Sequence, residues 1–261
     1  MRGILVLVLA LQAGSSTQTD VSTIIQRSVE ATNRDWRAAP GYDYLERVRG
    51  DGGTKTYAVT MILGSPYQRL TAVNGKPLSA EKEKEEQQNL DKETEKRRNE
   101  SPQERDQRIA KYLKDRRRDH SLLEQLTQAF DFKLQGRQKL GTRNVYVLRA
   151  TPRAGYHPPN MEAEVLTGMQ GRLWIDESTF QWVKVEAEVI HPVTIEGFLA
   201  RVEPGTRFEL EKVPVEGEIW LPAHFAVRSR SKIVFMISHK THEEDTYWGY
   251  RKAAGQDQAS H

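Results

Sequence analysis

Between Thr19 and Trp36 the apolar residues Val21, Ile24, Ile25, Val29 and Trp36 recur at helical spacing. That spacing predicts a helix with one apolar face, entered at Thr19-Asp20 and ended by Pro40-Gly41. Three strand-like runs follow, 42–49, 54–63 and 68–73, separated by the turn signals GDGG, GSP and NGKP. Short strands joined by tight turns predict an antiparallel meander. The alternation stops at Ser79 and resumes past Phe130. From there strands are predicted at 132–138, 144–150, 172–176, 180–190, 197–202, 206–212, 218–221, 224–235 and 243–251, with connections too short for parallel crossovers.

The interruption is charged. Of the 40 residues 81–120, 25 are Asp, Glu, Lys or Arg, with signs mixed along the run. Two helices are predicted there, 80–99 and 102–118, the second opened by Ser101-Pro102-Gln103-Glu104, a capping box with Pro at the first helical position. The first has Leu90 as almost its only apolar residue and no face to bury. The second has one patch, Ile109, Tyr112 and Leu113. A third, short helix at 121–130 carries Leu122, Leu123, Leu126 and Phe130 at core-facing spacing. Residues 79–120 thus read as a charged helical insertion, either a solvated element held by opposite charges at three- and four-residue spacing or a surface, 80–118, that docks an envelope protein. Acids interleaved with the arginines argue against nucleic acid as a partner.

In the hairpin 171–189, alternation puts Leu173 and Ile175 on one face with Val183, Val185, Ala187 and Val189, and both Trp174 and Trp182 on the other, among charges. There the tryptophans are expected to pack under the stems of Arg172 and Lys184. In 224–235, Phe225, Val227, Ile233 and Phe235 face one way and Arg228, Arg230 and Lys232 the other. A large sheet with one apolar face needs a cover, and the N-terminal helix and the 121–130 helix are the candidates. The fold class is mainly β with α: a large bent antiparallel sheet, an unclosed half-barrel, with covering helices. Pattern alone leaves open whether its interior is a filled core or a ligand-holding cavity.

Composition changes the picture in three places. The N-terminus MRGILVLVLALQAGSS has one Arg, a short apolar run and small residues, the layout of a signal peptide over 1–18. The run is too short to span a bilayer, so the mature chain is expected to have no integral membrane span and to be exported, periplasmic where the source has an outer membrane. There is no Cys, which removes disulfides, thiol nucleophiles and thiolate metal sites. The 39 basic and 36 acidic residues give a net charge of only +3, too balanced to mark a nucleic-acid face. The domain plan is a single domain over 19–252 containing the insertion, then a polar, disordered tail, 253–261.

No nucleophile elbow, phosphate-cradling loop or dinucleotide fingerprint is present. His239-Lys-Thr-His242 is the one stretch of metal-like composition, but its spacing on a strand is poor for one ion. Glu243, Glu244 and Asp245 are better explained as partners of Arg228, Arg230 and Lys232 on the neighbouring strand. The expectation is therefore no catalytic residue, no metal site, no cofactor and no enzyme.

Two stretches carry a resemblance. The hairpin Gly-x-Leu-Trp-Ile-Asp-x-x-Thr, then Lys-Val-Glu, spans 171–186, and the Glu-Ile-Trp-Leu-Pro element ends at Pro222. With a helix running into a strand bearing Tyr42 and Tyr44, they resemble the periplasmic lipoprotein-carrier (LolA-type) superfamily. PRAGYHPPN, GFLARVEPGTRFELE and the terminal DTYWGYRK resemble a group of exported bacterial proteins with the same charged insertion. The resemblance implies an unclosed β-barrel with a helical lid over an apolar cavity, in proteins that carry or sense lipidated or amphipathic molecules. The insertion is not part of the carrier's pattern, and no functional residue is transferred. The expected ligand is an acyl chain, of a lipid or lipoprotein, or another apolar or amphipathic molecule. Its candidate lining is Leu173, Ile175, Val183, Val185, Phe225, Val227 and Phe235, with Leu122, Leu126 and Phe130 as lid. The alternative is an interaction protein with a filled barrel and a docking insertion.

Overall fold

The computed structural model describes residues 20–195, 200–233 and 237–254. The expected signal peptide, Phe235 and most of the tail lie outside these residues. So does the side chain of Leu122. Helix α1 (Val21–Ala38) leads into a meander of β1 (Tyr42–Gly50), β2 (Gly53–Ile62), β3 (Ser65–Val73) and β4 (Lys76–Pro77). Helices α2 (Ala80–Arg98) and α3 (Pro102–Ala129) follow, then β5 (Phe130–Leu140), β6 (Arg143–Pro152) and the short α4 (Met161–Glu164). The remaining strands are β7 (Met169–Asp176), β8 (Trp182–Val189), β9 (Val193–Ile195), β10 (Ala200–Val202), β11 (Arg207–Glu216), β12 (Ile219–Ile233) and β13 (Ile237–Lys252).

All of them join one antiparallel sheet of 13 strands in the order β4-β3-β2-β1-β13-β12-β11-β8-β7-β6-β5, with β10 beside β12 and β9 beside β10. The early meander is thus attached through the last strand, β1 against β13, and the two ends of the order, β4 and β5, do not pair. The sheet is large and unclosed. Ala253, the first residue of the expected tail, is buried, and its N–H donates to the Gly41 carbonyl at 2.9 Å.

The helices cover one face. Ile24 and Ile25 of α1, Ala129 and Phe130 at the end of α3, and Ala163 of α4 share a core with Leu148, Leu173, Ile175, Trp182 and Val189. On the outer face Val145, Val147 and Trp174 form a second small cluster, with Leu140 and Val183 against it. This corrects the expected faces of the hairpin. Ile175 pairs with Trp182 but Trp174 with Lys184, so Val183 is an extra, unpaired residue of a β-bulge. The bulge turns Val183 to the outer face and Trp182 inward. Trp174 alone stays outside, with the Lys184 ammonium 5.8 Å from its ring centre.

Two helices expected at 102–118 and 121–130 are one, because nothing between them breaks a helix. Ser121 keeps its hydroxyl inside the turn by donating to the Arg118 carbonyl at 2.7 Å. The Ser101 capping box forms as its sequence predicts. Residues 219–233 are likewise one strand, with Ala223 as an extra residue opposite Glu211/Lys212 of β11.

Helix α2 docks without an apolar face. Arg97 is 5% exposed and donates to the carbonyls of Ile62 (3.0 Å), Ser65 (2.8 Å) and Pro66 (3.3 Å), while Glu93 holds its Nε at 2.7 Å. These carbonyls frame the β2–β3 turn, where Leu63 and Gly64 both take positive φ, the two-residue hairpin geometry. From α3, Arg108 reaches the same turn, donating to Ser65 Oγ at 2.7 Å and the Leu63 carbonyl at 3.2 Å, with Glu100 as its counter-ion. Farther along, Glu86 accepts from the Leu70 N–H on edge strand β3 at 3.3 Å, which covers part of that edge.

α1 is pinned by a buried ion pair. Asp35 is 3% and Lys212 8% exposed, and the ammonium donates to Asp35 Oδ2. Asp35 Oδ1 accepts from the Trp220 N–H at 3.0 Å and from Gln181 Nε2 at 3.1 Å. Burial pulls the Lys212 ammonium below its ordinary range, with Asp35 opposing the shift.

Two stability experiments follow from these anchors. Asp35→Asn leaves Lys212 buried without a counter-charge and is expected to lower the unfolding free energy by about 3–5 kcal/mol, read from the urea midpoint. Asp35→Leu with Lys212→Met should recover only part, since the Trp220 N–H and Gln181 still lose an acceptor. Arg97→Met strands carbonyls at the β2–β3 turn, for a loss of about 1–3 kcal/mol. Hydrogen exchange should then speed up across α2 while β6 to β8 stay protected.

Candidate functional site

The core does not extend over the whole helix-covered face. One cross-strand row runs Leu148, Leu173, Val185, Leu210, Phe225, Asp245 and Val48 across β6, β7, β8, β11, β12, β13 and β1. Its first members are core. From Val185 through Leu210 and Phe225 the row is half-buried, and at Asp245 it becomes ionisable. Beside this second half, α1 and α3 stand off the sheet and leave a cleft of about 400 Å³. Its roof is Trp36, Arg116, His120 and Leu123; its floor is Tyr44, Leu221, Pro222, Tyr247 and Tyr250.

The roof is built by stacking. His120 lies flat on Trp36, ring centres 4.4 Å apart, and the Arg116 guanidinium sits 4.6 Å from the same indole and 5.7 Å from the Tyr112 ring. Arg116 also donates to the Trp36 carbonyl. His120 Nε2 lies 2.8 Å from Asn33 Oδ1, an acceptor, which places the proton on Nε2. Nδ1 is buried with no hydrogen-bond partner. Burial lowers the His120 pKa, so the ring is neutral near pH 7.

The floor comes from the β1–β13 joint. Tyr44 lies 6.0 Å from Tyr247 and 5.4 Å from Tyr250, ring centre to ring centre. Tyr250 donates to the Pro222 carbonyl at 2.6 Å. Burial raises all three phenols far above their ordinary range, so they are protonated donors. Next to the rings on the same face, Glu46 pairs with Tyr247 across the strands, and Asp245 accepts from the Tyr247 hydroxyl at 3.4 Å. Both acids are 9% exposed. Burial first, then the negative charge of Asp245, raises Glu46; burial, then Glu243, raises Asp245. Gln68 donates to Glu46 at 2.8 Å without reversing the shift.

Asp245 is therefore not a surface partner of the β12 arginines. The register places Asp245 opposite Phe225, Glu244 opposite Ala226 and Glu243 opposite Val227, with Arg228 opposite His242. The expected charge ladder is displaced along the strand. Glu244 instead meets Arg49 at 3.4 Å, with His242 at 3.7 Å. No group of three metal-ligating side chains occurs among the described residues.

The candidate lining residues divide as follows. Leu173, Ile175 and Phe130 are in the packed core, and Val185 and Leu126 lie against it. Phe225 and Val227 share the covered face, half-buried, outside that core. Val183 is on the outer face, and Phe235 and the Leu122 side chain are outside the described residues. The cleft residues Trp36, Arg116, His120, Tyr247 and Tyr250 were not anticipated from spacing. Their one signal was aromatic clustering at the two chain ends, Tyr42 and Tyr44 early and DTYWGYRK late.

No family model matches the chain, and no curated protein matches it. Solved structures do. A LolA superfamily protein from Nitrosomonas europaea is 12% identical, covering 90% of this chain and 94% of its own, at a TM-score of 0.33. A putative outer membrane lipoprotein-sorting protein domain from Vibrio parahaemolyticus is 12% identical over 90% of this chain and 95% of its own, at 0.34. A MucA/MucB complex from Pseudomonas aeruginosa matches at 13% identity over 87% and 99%, at 0.26. No described helix is long and apolar enough to cross a membrane.

The acid pair makes a signed prediction. A carboxyl whose folded-state pKa lies above its unfolded value binds more protons when folded, so its contribution to stability falls as pH rises through that window. The window opens at the ordinary values, 4.5 for Glu46 and 3.8 for Asp245, and extends upward. Asp176 acts oppositely. Burial alone would raise it, but Ser178, Thr179 and Arg143 donate to it and hold it below 3.8, so its contribution is lost as pH falls. Comparison with Glu46→Gln isolates the first effect. The variant should gain on wild type as pH rises from about 4 to 8, by a few degrees in Tm for each kcal/mol.

Proposed function

We propose that this chain is a non-enzymatic binding protein that shelters an acyl chain or another apolar or amphipathic molecule against the helix-covered face of its half-barrel. It would act as a carrier or sensor after export to the cell envelope. One observation carries the reading: the cleft of about 400 Å³ walled by Trp36, Tyr44, Leu123, Leu221, Tyr247 and Tyr250. Its volume falls in the range of about 300–1,000 Å³ usual for ligand pockets. The lining is largely aromatic and aliphatic with a few fixed polar groups, the composition that binds amphiphiles. Among the described residues His120 meets Asn33 and Trp36 rather than a hydroxyl to activate, which supports binding over catalysis. Half-buried Phe225 and Val227, with Leu210, extend the apolar floor beyond the cleft, and of the candidate lining these two keep that role.

A docking role for 80–118 is the second reading. Its support is that α2 keeps its other charged side chains largely at the surface after Arg97 turns inward. α3 also roofs the cleft, so removing the whole insertion would disturb both readings. Reversing exposed α2 charges alone, with Arg97 and Glu93 kept, should weaken a docked partner and leave ligand uptake intact.

Native mass spectrometry on protein purified from its source fraction tests the binding reading. The expected result is a lipid-sized adduct lost on organic extraction and regained with added amphiphile. A bare polypeptide mass that takes up no added chain would overturn it. Leu123→Trp places a larger side chain in the cleft roof and should weaken uptake by about tenfold, or 1.4 kcal/mol, while circular dichroism stays unchanged.

A further inference from the structure

The described residues hold two buried acids that share no ion pair. Glu46 meets Gln68 and the Tyr247 hydroxyl, and Asp245 meets the same hydroxyl at a long 3.4 Å, with His224 acting on it through charge alone. The other oxygen of Asp245, Oδ1, is buried with no partner at all. A buried carboxylate without a counter-charge is costly, and two as diagonal neighbours across β1 and β13 are more so. Other buried charges among the described residues are matched: Lys212 by Asp35, Arg97 by Glu93, Asp176 by Arg143.

Beside the acids, on the same face of the sheet, lies the tyrosine floor of the cleft. Tyr44 precedes Glu46 by two residues on the same face of β1, Tyr247 follows Asp245 by two on β13, and Tyr250 completes the group. Aromatic faces flanked by negative charge attract cations. The nearby cation, Arg116, is already held by the Trp36 carbonyl and the Trp36 and Tyr112 rings.

Resting on the binding reading above, we propose that the cleft selects amphiphiles with a cationic head, an amine or quaternary ammonium. The head sits among Tyr44, Tyr247 and Tyr250 against Glu46 and Asp245. The apolar part lies against Trp36, Leu123 and Leu221. The ligand then supplies the counter-charge that the fold withholds.

The groups facing the acid pair are Tyr44 on β1, Tyr247 and Glu243 on β13, Gln68 on β3 and His224 on β12, with Tyr112 of α3 acting on Tyr44. None of the phenols titrates near neutrality. Selectivity for a cation therefore rises with pH as Glu46 and Asp245 ionise, and a neutral head shows no such rise.

The test compares three twelve-carbon probes below their micellar concentrations by calorimetry at pH 8: dodecyltrimethylammonium, dodecyl maltoside and dodecanoate. The cationic probe is expected to bind about tenfold tighter than the neutral one, with the preference shrinking as pH falls toward 5. Glu46→Gln with Asp245→Asn should bring the cationic affinity to within about twofold of the neutral. These substitutions remove unpaired buried charge, so the variant should melt no lower than wild type. Equal binding of the three probes by wild type would overturn the cation proposal and leave the binding reading standing. Preference for dodecanoate would overturn it in favour of Arg116, and a preference that survives the double substitution would remove the acids from the site. Binding of no probe would overturn both proposals.

Discussion

Everything above the sheet depends on where α1 is held, and α1 is held by Asp35. Its carboxylate meets Lys212 of β11, the Trp220 N–H of β12 and Gln181 beside β8. A helix lying on apolar side chains is held by packing that has no direction of its own. One whose buried charge has three fixed partners cannot slide, because any slip leaves Lys212 unpaired at low dielectric. The residue after Asp35 is Trp36, the centre of the cleft roof. A polar constraint in the interior thereby positions an aromatic surface at its edge.

The charged insertion obeys a similar logic with the polarity reversed. Its first helix has no apolar stripe, and its attachment is a guanidinium buried among backbone carbonyls of the β2–β3 turn. Arg108 from α3 adds a second set of bonds to the same turn, and both arginines share Ser65 Oγ. A planar donor fork suits this task, since one side chain bonds several carbonyls around the tight turn at once. The turn in effect tethers the start of α3, whose later residues cross the cleft.

The covered face therefore has two regimes. Over β5 to β8 it is closed by Ile24, Phe130, Leu148, Ile175 and Trp182, a packed core. Over β1, β12 and β13 it carries tyrosines, buried acids and a cleft instead. The second regime accepts a burden that the first avoids, since burial raises both acids and leaves one oxygen unpartnered. Local rules that are obeyed elsewhere in a chain are most often broken where a protein does something.

Much of this was written in one dimension. Alternation located nearly every strand, the Ser101 capping box started α3 at the expected residue, and the apolar spacing of 21–36 identified the helix that covers the core. Those features depend on residues within a few positions of one another. The bulge that turned Trp182 inward did not, because one extra residue in β8 inverts a face without disturbing the local pattern. Nor did the inward turn of Arg97, which in the sequence is one more charge among 25. The cleft was least legible of all: Tyr44 and Tyr247 stand about 200 positions apart and meet only because the last strand pairs with the first. Sequence by itself determined the periodicities, and with them most of the elements and, outside the bulged β8, their apolar sides. Tertiary structure decided the register, and the register chose which polar groups would be buried together and what they would surround.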